Sequence, residues 1–121
     1  MNVVIIEDDL ILALSLEMMI RKSGYTITGK FTTGEEAVSA MPDLEVDIML
    51  VDIQLGKGIT GIEAVKRIQE QAPIPAIYIT GNSDDLNRKL ASDTNFVEYL
   101  IKPITFNELK STLEQLGSEQ I

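Results

Sequence analysis

Apolar residues follow two alternating rhythms along this chain. Val3-Val4-Ile5-Ile6, Ile48-Met49-Leu50-Val51 and Ala76-Ile77-Tyr78-Ile79 are unbroken runs of strand length, and between them apolar positions recur every three or four residues. An unbroken run suits a strand covered on both faces, and the wider spacing suits a helix with one apolar side. Strands are therefore predicted over residues 2–6, 47–52 and 75–80. Two more follow: residues 96–101, broken by Lys102-Pro103, and residues 25–31, whose weak alternation and polarity place it at a sheet edge.

Helices fill the gaps. Over residues 10–22, Leu12, Ala13, Leu16, Met19 and Ile20 share one arc, and Arg21-Lys22-Ser23-Gly24 is a stop signal. Leu10, Ile11, Leu14 and Met18 form a second stripe on the far side of this helix, more apolar surface than one core face requires, and are expected to be partly exposed. Thr33-Gly34-Glu35-Glu36, Thr60-Gly61-Ile62-Glu63 and Thr105-Phe106-Asn107-Glu108 each place a Glu three residues after a Thr, the pattern of a capping box opening a helix. Residues 83–91 read as a polar helix, and residues from about 117 as tail. Five strands alternating with five helices predict one domain over residues 1–121, an α/β fold with a parallel, doubly wound sheet and right-handed crossovers.

Composition narrows the function. The 121 residues carry a net charge of -9, which repels nucleic-acid phosphates and anionic membranes and leaves a protein as the expected partner. There is no Cys and no His, so disulfides, thiol chemistry, His-ligated zinc and a phosphohistidine on this chain are excluded. No apolar run approaches the roughly 20 residues of a membrane span, and the chain enters its first strand without a basic leader; a cytoplasmic protein is expected.

Candidate chemistry lies where the strands end. Glu7-Asp8-Asp9 follows the first predicted strand in chain order, Asp52 closes the third, Thr80 the fourth, and Lys102 follows the fifth. In an open α/β sheet the carboxyl ends of the strands form the ligand edge, so these groups are predicted to converge. Several carboxylates in one pocket repel one another, and a hard divalent ion relieves that; Mg²⁺ suits few carboxylates plus water and a phosphoryl group. A carboxylate is also a nucleophile toward phosphorus, giving an aspartyl phosphate whose developing charge a metal, a lysine and a hydroxyl can meet. Asp9 is read as a helix cap or as further support for the metal, with neither preferred.

In this order and spacing, Glu7-Asp8, Asp52, Thr80-Gly81 and Tyr99-Leu100-Ile101-Lys102-Pro103 resemble the motifs of the receiver domain of two-component response regulators, over essentially the whole chain. The resemblance implies a flavodoxin-like, three-layer αβα fold with strand order 2-1-3-4-5. It implies that Asp52 accepts a phosphoryl group from a sensor histidine kinase or histidine phosphotransfer protein. Glu7, Asp8, Asp52 and the main-chain carbonyl of Gln54 are then expected to hold Mg²⁺, Lys102 to pair with the phosphoryl group and Thr80 to hydrogen-bond it. Tyr99 is the expected switch that follows Thr80, Gln54 and Asn82 flank the path of the water that removes the phosphoryl group, and the Lys102–Pro103 peptide is expected to be cis. Phosphotransfer and autodephosphorylation are self-catalysed, and the output is altered binding of a downstream protein or domain. The outer stripe of the first helix, with Ile11, Leu14 and Met18, is the expected docking face for the phosphodonor; a homodimer is its competing use.

The chain departs from the commonest receivers in a Gly-rich loop after Asp52 that is one residue longer, with Gly56 where many have proline. Rival readings meet specific residues. Aspartyl-phosphate hydrolases carry a second Asp where this chain has Gln54, and a flavin site needs a phosphate-binding loop where this chain has Glu7-Asp8-Asp9. A receiver-like interaction module that is never phosphorylated is the remaining alternative.

Overall fold

A computed structural model describes residues 1–81 and 85–119. Strands β1 (Asn2–Ile6), β2 (Thr26–Phe31), β3 (Ile48–Asp52), β4 (Ala76–Thr80) and β5 (Phe96–Ile101) form one parallel sheet in the order β2-β1-β3-β4-β5. Between them run α1 (Leu10–Lys22), α2 (Gly34–Ala40), α3 (Gly61–Gln69) and α4 (Asp85–Ala91), and α5 (Phe106–Glu119) follows β5. The expected fold class is the one observed. At the C-terminal end, α5 continues through Gly117 to Glu119, into the stretch that reads as tail.

The unbroken apolar runs occupy the centre of the sheet because both of its faces are covered. Val4, Ile6, Met49, Val51 and Tyr78 pack with Ala37 of α2, Ile62, Val65 and Ile68 of α3, and Ala91 of α4. Val3, Ile5, Ile48, Leu50, Ile77 and Ile79 face the other way, onto Leu16 and Ile20 of α1 and Leu109, Leu113 and Leu116 of α5. Each such side chain taken from water contributes about 1.5–3 kcal/mol, and the alternation along β1, β3 and β4 divides that contribution between two layers. On α1 the outer stripe stands in solvent as its spacing predicts, with Ile11 83% and Met18 64% exposed.

Helix starts follow the sequence closely. Thr33, Thr60 and Thr105 accept the N–H groups of Glu36, Glu63 and Glu108 through their hydroxyls. At Thr105 the box is reciprocal, since its own N–H donates to Glu108 Oε2. The amino edge of the sheet is fastened by a side chain: Gln69 Nε2 donates to the carbonyls of Ile74 and Asn95, and Gln69 Oε1 accepts from Asn95 N–H.

Both edge strands slip by one residue against their neighbours. Where β4 meets β5 the register passes from Ala76 opposite Phe96 to Ile77 opposite Glu98, so Tyr99 comes opposite Tyr78 and takes its face of the sheet. The two rings then sit 6.4 Å apart. The Lys102–Pro103 peptide that follows is cis.

Gly61 opens α3 directly beneath the end of β3, where a Cβ would strike the carbonyl oxygen of Asp52, a backbone atom that cannot step aside. Gly61→Ala is expected to destabilise the domain by roughly 1–3 kcal/mol, the usual range for overpacking, as read by urea denaturation. Unchanged stability would show that the end of β3 can move.

Candidate functional site

Parallel pairing brings the first and third strand ends together. Ile6 lies opposite Val51, so the next residue on each strand, Glu7 and Asp52, stands at the same level of the carboxyl edge. Both are almost wholly buried, 2% and 4% exposed. Glu7 is held in line by its own N–H, which extends the strand pattern to the carbonyl of Phe31 at 2.9 Å. Asp8, one residue further, reaches solvent. One carboxylate oxygen from each of Glu7, Asp8 and Asp52 lies within 4.8 Å of the others, a spacing that a single cation can span.

Asp9 does not join them. Its carboxylate accepts the N–H groups of Ile11 and Leu12 at 3.0 and 3.2 Å and caps α1. The cap reading of Asp9 therefore holds, and the physical reason is that its carboxylate satisfies two amides of the first helical turn that have no partner within the helix.

The two oxygens of Asp52 have different neighbours. Oδ1 accepts the N–H of Gln54 at 3.1 Å, while Oδ2 faces the Lys102 ammonium at 3.4 Å. Lys102 Nζ is also 3.4 Å from Glu7 Oε1, so one cation serves two buried carboxyl groups. The lysine is brought there by its backbone, whose N–H donates to the carbonyl of Thr80 at 2.7 Å. Thr80 itself is fully buried at the end of β4, and Tyr99 is buried nearby with the Arg88 guanidinium stacked 4.5 Å over its ring. Asn82, expected from the sequence to border the pocket, lies outside the described residues.

Electrostatics at this edge are unbalanced. Burial, reinforced by Asp52 beside it, pushes the Glu7 carboxyl up to about 8, and Glu7 Oε1 is sealed from solvent with no hydrogen bond from the described residues. For Asp8 the direction is opposite: the Gly56 N–H, which donates to its Oδ2 at 2.9 Å, holds its carboxyl below the ordinary value. Burial works against the charge of Lys102, but Asp52 and Glu7 outweigh it and raise its pKa. An oxygen-lined pocket in which three carboxyl groups share a single lysine fits a hard divalent cation such as Mg²⁺.

Five of the expected site residues, Glu7, Asp8, Asp52, Thr80 and Lys102, thus meet at one edge, with Gln54 on the loop above them. Sequence reasoning did not anticipate the Gly56 N–H bound to Asp8. The signal available was the glycine itself, since a proline there would have no N–H to give.

Comparison with known proteins agrees with this geometry. Residues 3–114 match the response regulator receiver domain family. The probable C4-dicarboxylate response regulator DctR of Halalkalibacterium halodurans is 35% identical over 116 residues, which are 94% of this chain and 50% of that protein. The transcriptional regulatory protein PdtaR of Mycobacterium tuberculosis is 29% identical over 93% of this chain and 55% of its own length. The chain spans about half the length of the curated relatives it matches. Among solved structures, the signal receiver domain of a modulated diguanylate cyclase from Desulfovibrio desulfuricans superposes with a TM-score of 0.90 at 35% identity, covering 98% of this chain and 94% of that one. The receiver domain of a sensor histidine kinase from Pseudomonas aeruginosa, with a magnesium ion coordinated in its active site cleft, gives 0.84 at 27% identity over 96% and 97%.

The raised Glu7 carboxyl makes a pH prediction. A carboxyl that binds its proton more tightly folded than unfolded adds stability that is complete below its ordinary 4.5 and is lost as pH rises through about 8. Asp8, with its carboxyl depressed, acts oppositely and only in acid, so the two windows are separate. In EDTA, the stability of the native protein relative to Glu7→Gln should fall as pH is raised from about 5 to about 9, with the variant the more stable at the alkaline end. Parallel pH profiles by chemical denaturation would contradict the shift.

Proposed function

Since the chain belongs to the response regulator receiver domain family, we propose that it works as a phosphorylation-dependent switch with Asp52 as phosphoacceptor. The observation that carries this reading is the pair of restraints on Asp52: Gln54 N–H fixes one carboxylate oxygen and Lys102 flanks the other, at an edge where two further carboxyl groups converge. The donor is the phosphohistidine of a sensor kinase or phosphotransfer protein. An oxygen of Asp52 attacks phosphorus, the P–N bond to the imidazole breaks, and the ring nitrogen takes up a proton. Asp52 thereby becomes an acyl phosphate.

Glu7, Asp8, Asp52 and the Gln54 carbonyl are the groups that would hold Mg²⁺. When bound, the ion neutralises charge on the transferring phosphoryl oxygens and on the crowded carboxylates. Lys102 supplies a fixed ammonium to the same oxygens, and Thr80 a hydroxyl. A phosphoryl group that draws Thr80 toward it changes the space beside Tyr99; the ring is then free to trade its place against Tyr78 for another, which alters the surface that α4, β5 and α5 offer to an output protein. One new contact can shift such an equilibrium only by its differential energy, so the two states must lie within a few kcal/mol. Gln54 and Asn82 are the candidates for tuning how long the signal lasts. The protein is modified stoichiometrically and turns over no substrate other than its own phosphoryl group.

For docking of the donor we favour the outer stripe of α1. Ile11, Leu14 and Met18 line an open groove of about 610 Å³ against Phe106 of α5, and such a contiguous apolar strip is more than scattered surface leucines explain. No helix among the described residues is long and apolar enough to cross a membrane; membership of the receiver domain family is what supports a cytoplasmic location.

Two experiments test the reading. With acetyl phosphate and Mg²⁺, intact mass should show one added phosphoryl group; Asp52→Asn and EDTA should each abolish it, and a gain of mass in Asp52→Asn would remove the assignment. Met18→Asp should slow phosphotransfer from the cognate histidine protein by roughly tenfold or more, as expected for a central contact residue, while sparing acetyl phosphate. Equal loss with both donors would place Met18 in the fold instead of the interface.

A further inference from the structure

The irregular segment from Ile53 to Thr60 presents Gln54 and Gly56 to the acidic pocket, so its position decides how those two backbone groups meet Asp52 and Asp8. Its footholds are few. Ile53 N–H donates to the Ile79 carbonyl and Gly61 N–H returns to the Ile53 carbonyl, both at 3.0 Å, which ties the two ends. The middle is gripped by carboxylates: Asp8 takes the Gly56 N–H, and Glu35 takes the Ile59 N–H through both of its oxygens, at 3.3 and 3.2 Å.

Glu35 stands in the first turn of α2 and has no place in the pocket. Its grip on the loop is nonetheless closely fitted. Gly58 passes against the carboxylate with φ +72, a left-handed conformation, and a Cβ there would overlap Oε1, Oε2 and Cδ of Glu35 together. Gly34, beside Glu35, lies so close to Ile59 that a Cβ would come within 2.7 Å of its Cγ1. Two glycines therefore let α2 and the loop meet, and the Glu35 carboxylate locks them. A first-turn acid that merely complemented the helix dipole would need neither the glycines nor the bond to Ile59.

Gly56 is three residues from that lock. Its N–H is the hydrogen bond that the loop gives to Asp8, and a side chain at Gly56 would itself press on Asp8 Oδ2, 2.9 Å from where a Cβ would stand. We propose that Glu35 is a positioning residue for the acidic pocket: by clamping Gly58 and Ile59 to α2 it fixes the Gly56 N–H, and through it the orientation in which Asp8 meets a divalent cation. This rests on the reading of Glu7, Asp8 and Asp52 as a cation site. It makes α2 a determinant of cation affinity although none of its residues touches the ion.

The test is Mg²⁺ titration of the full chain by calorimetry, with amide exchange of the metal-free protein followed by NMR, on the native protein, Glu35→Ala and Glu35→Gln. Glu35→Ala should weaken Mg²⁺ binding by roughly tenfold, the low end of what loss of an outer-shell contact costs, and should speed exchange at Gly56 as well as at Ile59. Glu35→Gln should stay close to the native protein in both, because its amide oxygen still accepts from Ile59. A Glu35→Ala affinity within about twofold of native, against that expected range, would overturn the proposal. So would unchanged exchange at Gly56, or acceleration spread evenly over the core strands. An equal loss in Glu35→Gln would assign the effect to charge acting through space and would also reject the clamp. If the native protein bound no Mg²⁺, the cation site itself would fall and the clamp with it, whereas equal binding by native and Glu35→Ala proteins removes the clamp alone.

Discussion

The constraint on which this domain turns is the burial of two carboxyl groups, Glu7 and Asp52, on adjacent strand ends with a single lysine between them. Parallel pairing of β1 and β3 makes their approach unavoidable, because residues that follow paired positions stand side by side. Burial without enough counter-charge disfavours the ionised form and pushes the Glu7 carboxyl up to about 8. The edge is thus a place of stored electrostatic tension, and a cation or a phosphoryl group changes its balance far more than it could on the open surface. Stability is given up at the strand ends, while the apolar interior below them carries the fold.

Much of this was legible in the sequence because it depends on local patterns. The unbroken runs at Val3, Ile48 and Ala76 announced a sheet covered on both faces, and three Thr-x-x-Glu boxes marked helix starts that the hydroxyls do occupy. Residues at strand ends need no side-chain detail to be placed, since a parallel sheet brings all its carboxyl ends to one edge. Leu10, Ile11, Leu14 and Met18 were separable from the core face of α1 by helical period alone.

What the sequence hid depends on register and on backbone donors. Glu98 and Tyr99 are neighbours, and period-two alternation cannot tell which of them faces Tyr78; a one-residue slip at the start of β5 decides it for the tyrosine. Asp9 could not be told from its neighbours by type, only by the two amides it meets. Glu35 reads as an ordinary acid in a capping box, and its contact with Ile59 joins residues 24 apart through a loop with no period of its own. Glycines at 56 and 58 pointed to close approach without saying to what.

The Gln69 amide deserves a last consequence. It knits the starts of β4 and β5 to α3 with a neutral group, through hydrogen bonds that neither protons nor salt will weaken. At the opposite edge Glu7, Asp8, Asp52 and Lys102 meet instead through ionic and ionisable contacts. The starts of β4 and β5 are therefore held by groups that do not titrate, and the ends of β1 and β3 by groups that do. A change of charge among those carboxyl groups acts on their own contacts and leaves the neutral hydrogen bonds of Gln69 as they are.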